Sequence, residues 1–190
     1  MSDPGADFIL EKQLEAAFGR LPAVFLMFPV VALGACIPLR THVPLAHLAA
    51  WMALVMVSGA AQWYAGRRFL QQTARDVGSW AKIRVACALV NGVVWGGVLG
   101  TAFLFPDDVV LANFVIFVIG GTSLTALGST SPHRPSLYVY EAANNLPVVL
   151  HLVLRRSRAD WTADGEQHGE VDPRPSFESR TVDRAHSRPR

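Results

Sequence analysis

Uncharged apolar runs recur along this chain at lengths near twenty residues. They cover 21–39, 44–64, 85–105 and 109–127, which are 19, 21, 21 and 19 residues long. An α-helix needs about 20 residues to cross the ~30 Å hydrocarbon layer of a bilayer. A soluble core helix keeps a polar face, and these runs have none. The pattern predicts four transmembrane helices in an all-α, polytopic helical bundle. A fifth run, 137–154 (LYVYEAANNLPVVLHLVL), is interrupted by Glu141, Asn144, Asn145, Pro147 and His151. A carboxylate at mid-membrane costs roughly 2.5–3.5 kcal/mol on insertion scales. This segment is therefore expected to insert only where neighbours shelter its polar face.

Polar stretches frame these runs. In residues 7–21, DFILEKQLEAAFGRL, the side chains of Leu10, Leu14, Ala17, Phe18 and Leu21 fall at helical spacing. Residues 1–20 thus read as a cytoplasmic amphipathic lead-in, lying on the membrane surface or packed on the protein's own loops. Pro44 suits the first turn of the second span, and Asp108 suits the cap of the fourth. The turn Pro106-Asp107-Asp108 is short enough to make the third and fourth spans antiparallel neighbours. Trp63 and Tyr64, followed by Arg67 and Arg68, have the order of a membrane boundary. The tail, 155–190, holds eight basic and seven acidic residues with little apolar periodicity, and is expected to be disordered. Its abrupt change of character resembles out-of-frame reading of a GC-rich gene, so a truncated remnant is one expectation to test.

Overall composition, 51% apolar, is ordinary, but the distribution of charge is not. Residues 1–20 hold six charges and 155–190 hold fifteen, leaving eleven for the 134 residues between. A water-exposed domain would need more charge there to cover its surface. Lys12, Arg20, Arg67, Arg68, Arg75, Lys82, Arg84 and Arg134 lie on the amino-terminal side, against Arg40, Arg155, Arg156 and Arg158 opposite if the fifth run crosses. Eight against four predicts a cytoplasmic amino terminus. It also sets the RRSR cluster at odds with a fifth crossing. A net charge of +2, without a basic stripe, gives no reason to expect a nucleic-acid partner. Cys36 and Cys87, both in apolar runs, read as small buried hydrophobes. LGAC at 33–36 looks like a lipoprotein box, but the acidic residues before it do not make a signal-peptide n-region.

The ten residues 91–100, NGVVWGGVLG, include four glycines in an uncharged run. In lipid, helices associate by close backbone approach rather than by a hydrophobic force, so small residues favour contact. Ala88, Gly92, Gly96 and Gly100 recur every four residues on one helical face. Gly120 and Gly121 in the next span are the expected partners, and a homodimer through the same groove is the alternative. Among polar residues in the spans, Asn91, Asn144, Asn145, Tyr138 and Glu141 are candidates to line a ligand cavity. Interhelical hydrogen bonding is the plainer use of the asparagines. His47 and His151 are two isolated histidines without the spacing of a haem or metal site. No Walker loop, HExxH or nucleophile elbow is present, so no enzymatic activity, cofactor or metal is expected.

Several motifs together carry a family resemblance: the RRF loop at 67–69, WAKIR at 80–84 leading into LVNGVVWGG at 89–97, FPDD at 105–108, FVIFVIGGTSLTALGS at 114–129, and NLPVVL at 145–150. Over roughly residues 15–154 the chain resembles the multi-helix membrane input region at the amino terminus of bacterial diguanylate cyclases, cyclic-di-GMP phosphodiesterases and hybrid histidine kinases. The resemblance implies a sensor or anchor in the bacterial inner membrane, with the lipid bilayer as partner. It carries no output activity to this chain, which has no Gly-Gly-Asp-Glu-Phe signature, phosphoacceptor helix or ATP-binding domain. A small transporter or permease, using Glu141 and the helix break at Pro147, is the competing expectation.

Overall fold

The computed structural model describes residues 4–103 and 108–169. Their order is α1 (Pro4–Gly19), α2 (Leu21–Leu39), α3 (Leu45–Gln71), α4 (Val77–Gly92), a π-helical turn (Val93–Gly97), α5 (Val98–Ala102), α6 (Val109–Thr130) and α7 (Arg134–Gly169). The described residues form an all-α bundle. Contacts divide the chain into one compact unit over 1–154 and a second over 155–190. The first unit carries the bundle core, the cavity and the hydrogen-bond network described below.

Four helical stretches are long and apolar enough to cross a membrane: Gly5–Leu39, Leu45–Gln71, Val77–Ala102 and Val109–Thr130. They correspond to the four expected spans, with changes of extent, the first being continuous with α1 from Gly5. The third begins at Val77, because Asp76 caps α4 by accepting hydrogen bonds from the Ser79 amide (3.3 Å) and the Ser79 hydroxyl (2.6 Å). These bonds, the side-chain one foremost, hold the Asp76 carboxyl below its ordinary pKa. The second continues past Tyr64 to Gln71. Asp108 caps α6 as expected, its Oδ1 accepting from the Leu111 amide at 3.0 Å. The turn residues Pro106 and Asp107 lie outside the described residues. The fifth run is helical within α7 but is not among the stretches both long and apolar enough to cross a membrane. Helix also continues past Leu154 to Gly169, where disorder was expected. Arg, Ala, Glu and Gln in that stretch have good helix propensity and can extend a helix without a core.

The surface of the bundle is strongly apolar, as fits helices that cross a bilayer. Val110 is 81% exposed and Phe117 78%, and Leu26, Val30, Ile37, Val57 and Leu124 also point outward. The main core is small and aromatic. Trp51 meets Trp95 and Phe103 edge-on, at ring separations of 5.6 and 6.0 Å, and Phe28 meets Trp95 at 5.6 Å. Around these rings Ala32, Ala35 and Leu39 of α2 join Leu111, Val115 and Ile119 of α6.

The lead-in helix packs on the protein itself. Phe18 lies 4.9 Å from Phe69 and 6.2 Å from Trp80, and Leu14 and Leu21 complete this second cluster. Glu11 and Glu15 grip Arg75 of the α3–α4 loop at 3.0 and 2.7 Å. Both contacts hold α1 across the ends of α3 and α4.

Candidate functional site

The glycine row of the third span faces α7 and not α6. A Cβ at Gly92 would meet the Tyr140 carbonyl at 2.7 Å and the Ala143 Cβ at 2.8 Å. At Gly96 it would run into the backbone of Asn144, and at Gly100 into Val148. Ala88 packs beside Tyr140 and Ala126. Gly120 and Gly121 meet nothing within 4 Å. The expected pairing of the two glycine sets is therefore corrected. The hairpin makes α6 a neighbour of the third span, but helix rotation turns the row toward α7. The groove that the sequence left open to a second copy is filled by α7.

At this contact the helix widens into the π turn Val93–Gly97. Gly96 and Gly97 have no side chains to obstruct that widening. The Trp51 indole donates to the Val94 carbonyl at 2.9 Å, where the regular hydrogen-bond ladder is interrupted. One turn earlier, the Ser58 hydroxyl donates to Asn91 Oδ1 at 3.2 Å, a second bond between α3 and α4.

The amide of Asn144 is fully buried and joins α7 to α6. Its Nδ2 donates to the Ile119 carbonyl (3.1 Å), Thr122 Oγ1 (3.2 Å) and Ser123 Oγ (3.0 Å). Asn145 Nδ2 donates to Ser123 Oγ at 3.0 Å and to Glu141 Oε2 at 2.8 Å. Glu141 Oε1 is buried without a hydrogen-bond partner among the described residues. Asn144, Asn145 and Glu141, expected to line a ligand cavity, instead form an interhelical hydrogen-bond network. Tyr138 is 66% exposed and stands outside it. His47 is exposed at the start of α3, and His151 is half-buried at the middle of α7.

A cavity of about 510 Å³ opens between α2 and α6, on the other side of the third span. Of the expected ligand-lining residues, Asn91 alone reaches it. Its walls are mostly apolar, from Phe28, Val31, Trp95 and Phe114, and its mouth includes the outward-facing Met27 and Phe117. Arg84 also lines it. This arginine is 1% exposed, and none of its three side-chain nitrogens has a hydrogen-bond partner among the described residues. Its guanidinium carbon lies 5.7 Å from the centre of the Phe18 ring. The Trp95 indole nitrogen, on the same cavity, is likewise buried and unpaired.

A guanidinium stays charged at neutral pH, so it cannot shed the cost of burial by losing a proton. An unpaired buried ion costs several kcal/mol. Sequence reasoning placed Arg84 among the loop charges, because it precedes the uncharged run that starts at 85. The signal that would have found it is the Asp76 cap. A helix that starts at 77 carries Arg84 two turns into the bundle.

The charge is also felt outside the cavity. His133, between α6 and α7, is buried and shares a hydrogen bond with Ser136 Oγ at 2.7 Å. Burial first, and then the positive charge of Arg84, hold its imidazole below the ordinary pKa of 6.5.

The fold and site thus define a multi-pass helical membrane protein with a laterally open apolar cavity and a buried cation on its wall. Comparison with protein-family models, curated proteins and solved structures returns no match for this chain.

Proposed function

We propose that this chain is the sensory or anchoring membrane module of a bacterial signalling protein, seated in the inner membrane with its amino terminus cytoplasmic and performing no catalytic step of its own. The observation that carries this reading is the seating of α7 on Gly92, Gly96 and Gly100, beside a π-helical turn. Small residues let helix backbones approach closely in lipid, so the seat is a contact of main chain on main chain. π turns recur at functional sites in helices. The motif resemblance over residues 15–154 points the same way.

The test measures the α4–α7 distance. Spin labels go on cysteines at Val90 and Leu150, both exposed, after Cys36 and Cys87 are changed to alanine. A sensory module gives two distance populations whose ratio moves with bilayer composition. A single distance in every bilayer removes the sensory half of the reading.

One observation favours the transport alternative: the unpaired Glu141 oxygen inside α7. Intramembrane carboxylates recur on proton paths. Proton flux in vesicles, abolished by Glu141→Gln, would support transport, and absence of flux in the wild type would remove it.

A further inference from the structure

We propose that the cleft between α2 and α6 holds an anionic membrane lipid, its headgroup paired with the Arg84 guanidinium and an acyl chain lying along Phe28, Val31 and Phe114. This deepens the sensory reading by naming the chemical class of what the module would sense.

Three independent features converge on that occupant. The cavity volume of about 510 Å³ falls within the roughly 300–1,000 Å³ range of small-molecule sites. Its wall is apolar along most of its length, which suits hydrocarbon. At one point that wall presents a buried cation whose side-chain nitrogens have no hydrogen-bond partner among the described residues. A planar guanidinium matches the paired oxygens of a phosphate or carboxylate, and such charge-assisted bonds strengthen away from water.

The route of entry selects lipid over a soluble anion. Toward the amino-terminal end Arg84 is capped by the Phe18 ring of α1. Beside that cap, Arg20 Nη1 donates to the Gly128 carbonyl, tying the start of α2 to the end of α6. At the opposite end Ala32, Ala35 and Leu39 pack with Leu111, Val115 and Ile119. Between these two closures the cleft presents Met27, Val31 and Phe117, all exposed on the apolar surface. The opening therefore faces the bilayer, where a lipid can enter sideways without its chain crossing water. Gly121 lies on the same rim, and a Cβ there meets nothing within 4 Å, so the space beside it is open.

The experiment reads quenching of tryptophan fluorescence by lipids brominated on the acyl chain, with the full chain in phosphatidylcholine vesicles. Brominated phosphatidylglycerol is compared with brominated phosphatidylcholine at equal mole fraction. The wild type should be quenched more by the anionic lipid, because that chain is held beside Trp95. Arg84→Gln should reduce the preference about tenfold, the worth of one charged hydrogen-bonded contact. Arg84→Lys should keep part of it. Gly121→Leu fills the cleft without touching Arg84 and should also abolish the preference, so the proposal stays testable if Arg84→Gln does not fold.

Equal quenching by the two lipids in the wild type overturns the proposal, as does a preference that survives both Arg84→Gln and Gly121→Leu. Competition by inorganic phosphate in the buffer also overturns it, because the occupant would then be a soluble anion. Lipid preference and the α4–α7 distances are separate readouts, so failure of this site is distinguishable from failure of the sensory reading.

Discussion

Gly96 lies directly against the backbone of Asn144, so close that no side chain at position 96 is compatible with the observed approach of α7 to the third span. The same Asn144 spends its amide on α6, so one residue fixes the spacing of three helices. Substitution at either residue should therefore loosen the bundle, through different physics.

For Gly96→Ala the added Cβ meets main chain, which cannot rotate away. Overpacking of this kind costs typically 1–3 kcal/mol. The expected result is a clear fall in the thermal midpoint of the detergent-solubilised chain. Gly121→Ala, facing open space, should leave it nearly unchanged. Equal effects at the two positions would contradict the α7 contact.

Asn144→Ala removes an amide whose two N–H groups are shared among three acceptors, and leaves those acceptors on α6. Interhelical hydrogen bonds in bilayers average about 0.6 kcal/mol and reach about 1.7. A loss of about 1–2 kcal/mol is expected, measured by reversible unfolding in mixed micelles. Thr122→Val combined with Asn144→Ala should cost less than the sum of the two, because they share a bond.

Trp51→Phe keeps an aromatic ring beside Trp95 and Phe103 but cannot donate to the Val94 carbonyl. The expected cost is about 1 kcal/mol. It should be accompanied by faster amide exchange confined to the third span around 93–97, read by mass spectrometry. Unchanged exchange there would mean that the indole bond does not hold the π turn.

Stability should fall with acid through His133. Its folded-state pKa lies below the ordinary value of 6.5, so the unfolded chain binds the proton first as pH drops. The His133 contribution is fully present above about pH 6.5 and is lost as pH falls through that value toward the depressed one. Thermal midpoints from about pH 8 to about pH 5 should show this decline, and His133→Gln should flatten it. A decline of equal size in the variant would assign it to other groups.

The outcome at particular residues shows what is legible in one dimension. The bounds of α2 and α6 follow closely from their uncharged runs, because a missing charge is visible without knowing any neighbour. Asp108 announced its cap by position alone. The row Ala88, Gly92, Gly96 and Gly100 was recognisable as a packing face, yet its partner was misassigned, since proximity in the chain favoured α6 and helix rotation favoured α7. Asn144 was visible as polar and intramembrane, but whether it meets a ligand or Ser123 depends on where α6 places its hydroxyls. Arg84 was taken for a boundary charge, because only the packing of α1 over the ends of α3 and α4 removes it from water.

By itself, then, the order of residues determined the all-helical class, the four apolar stretches, the capped start of α6 and the presence of a small-residue face. These are properties of local composition and of helical period, which act within one segment. The tertiary structure alone decided which faces meet, where the third span widens, and that a guanidinium ends up buried on an open cavity. Each of those depends on the rotation and tilt of several helices at once, and burial is a property of the neighbours rather than of the residue that is buried.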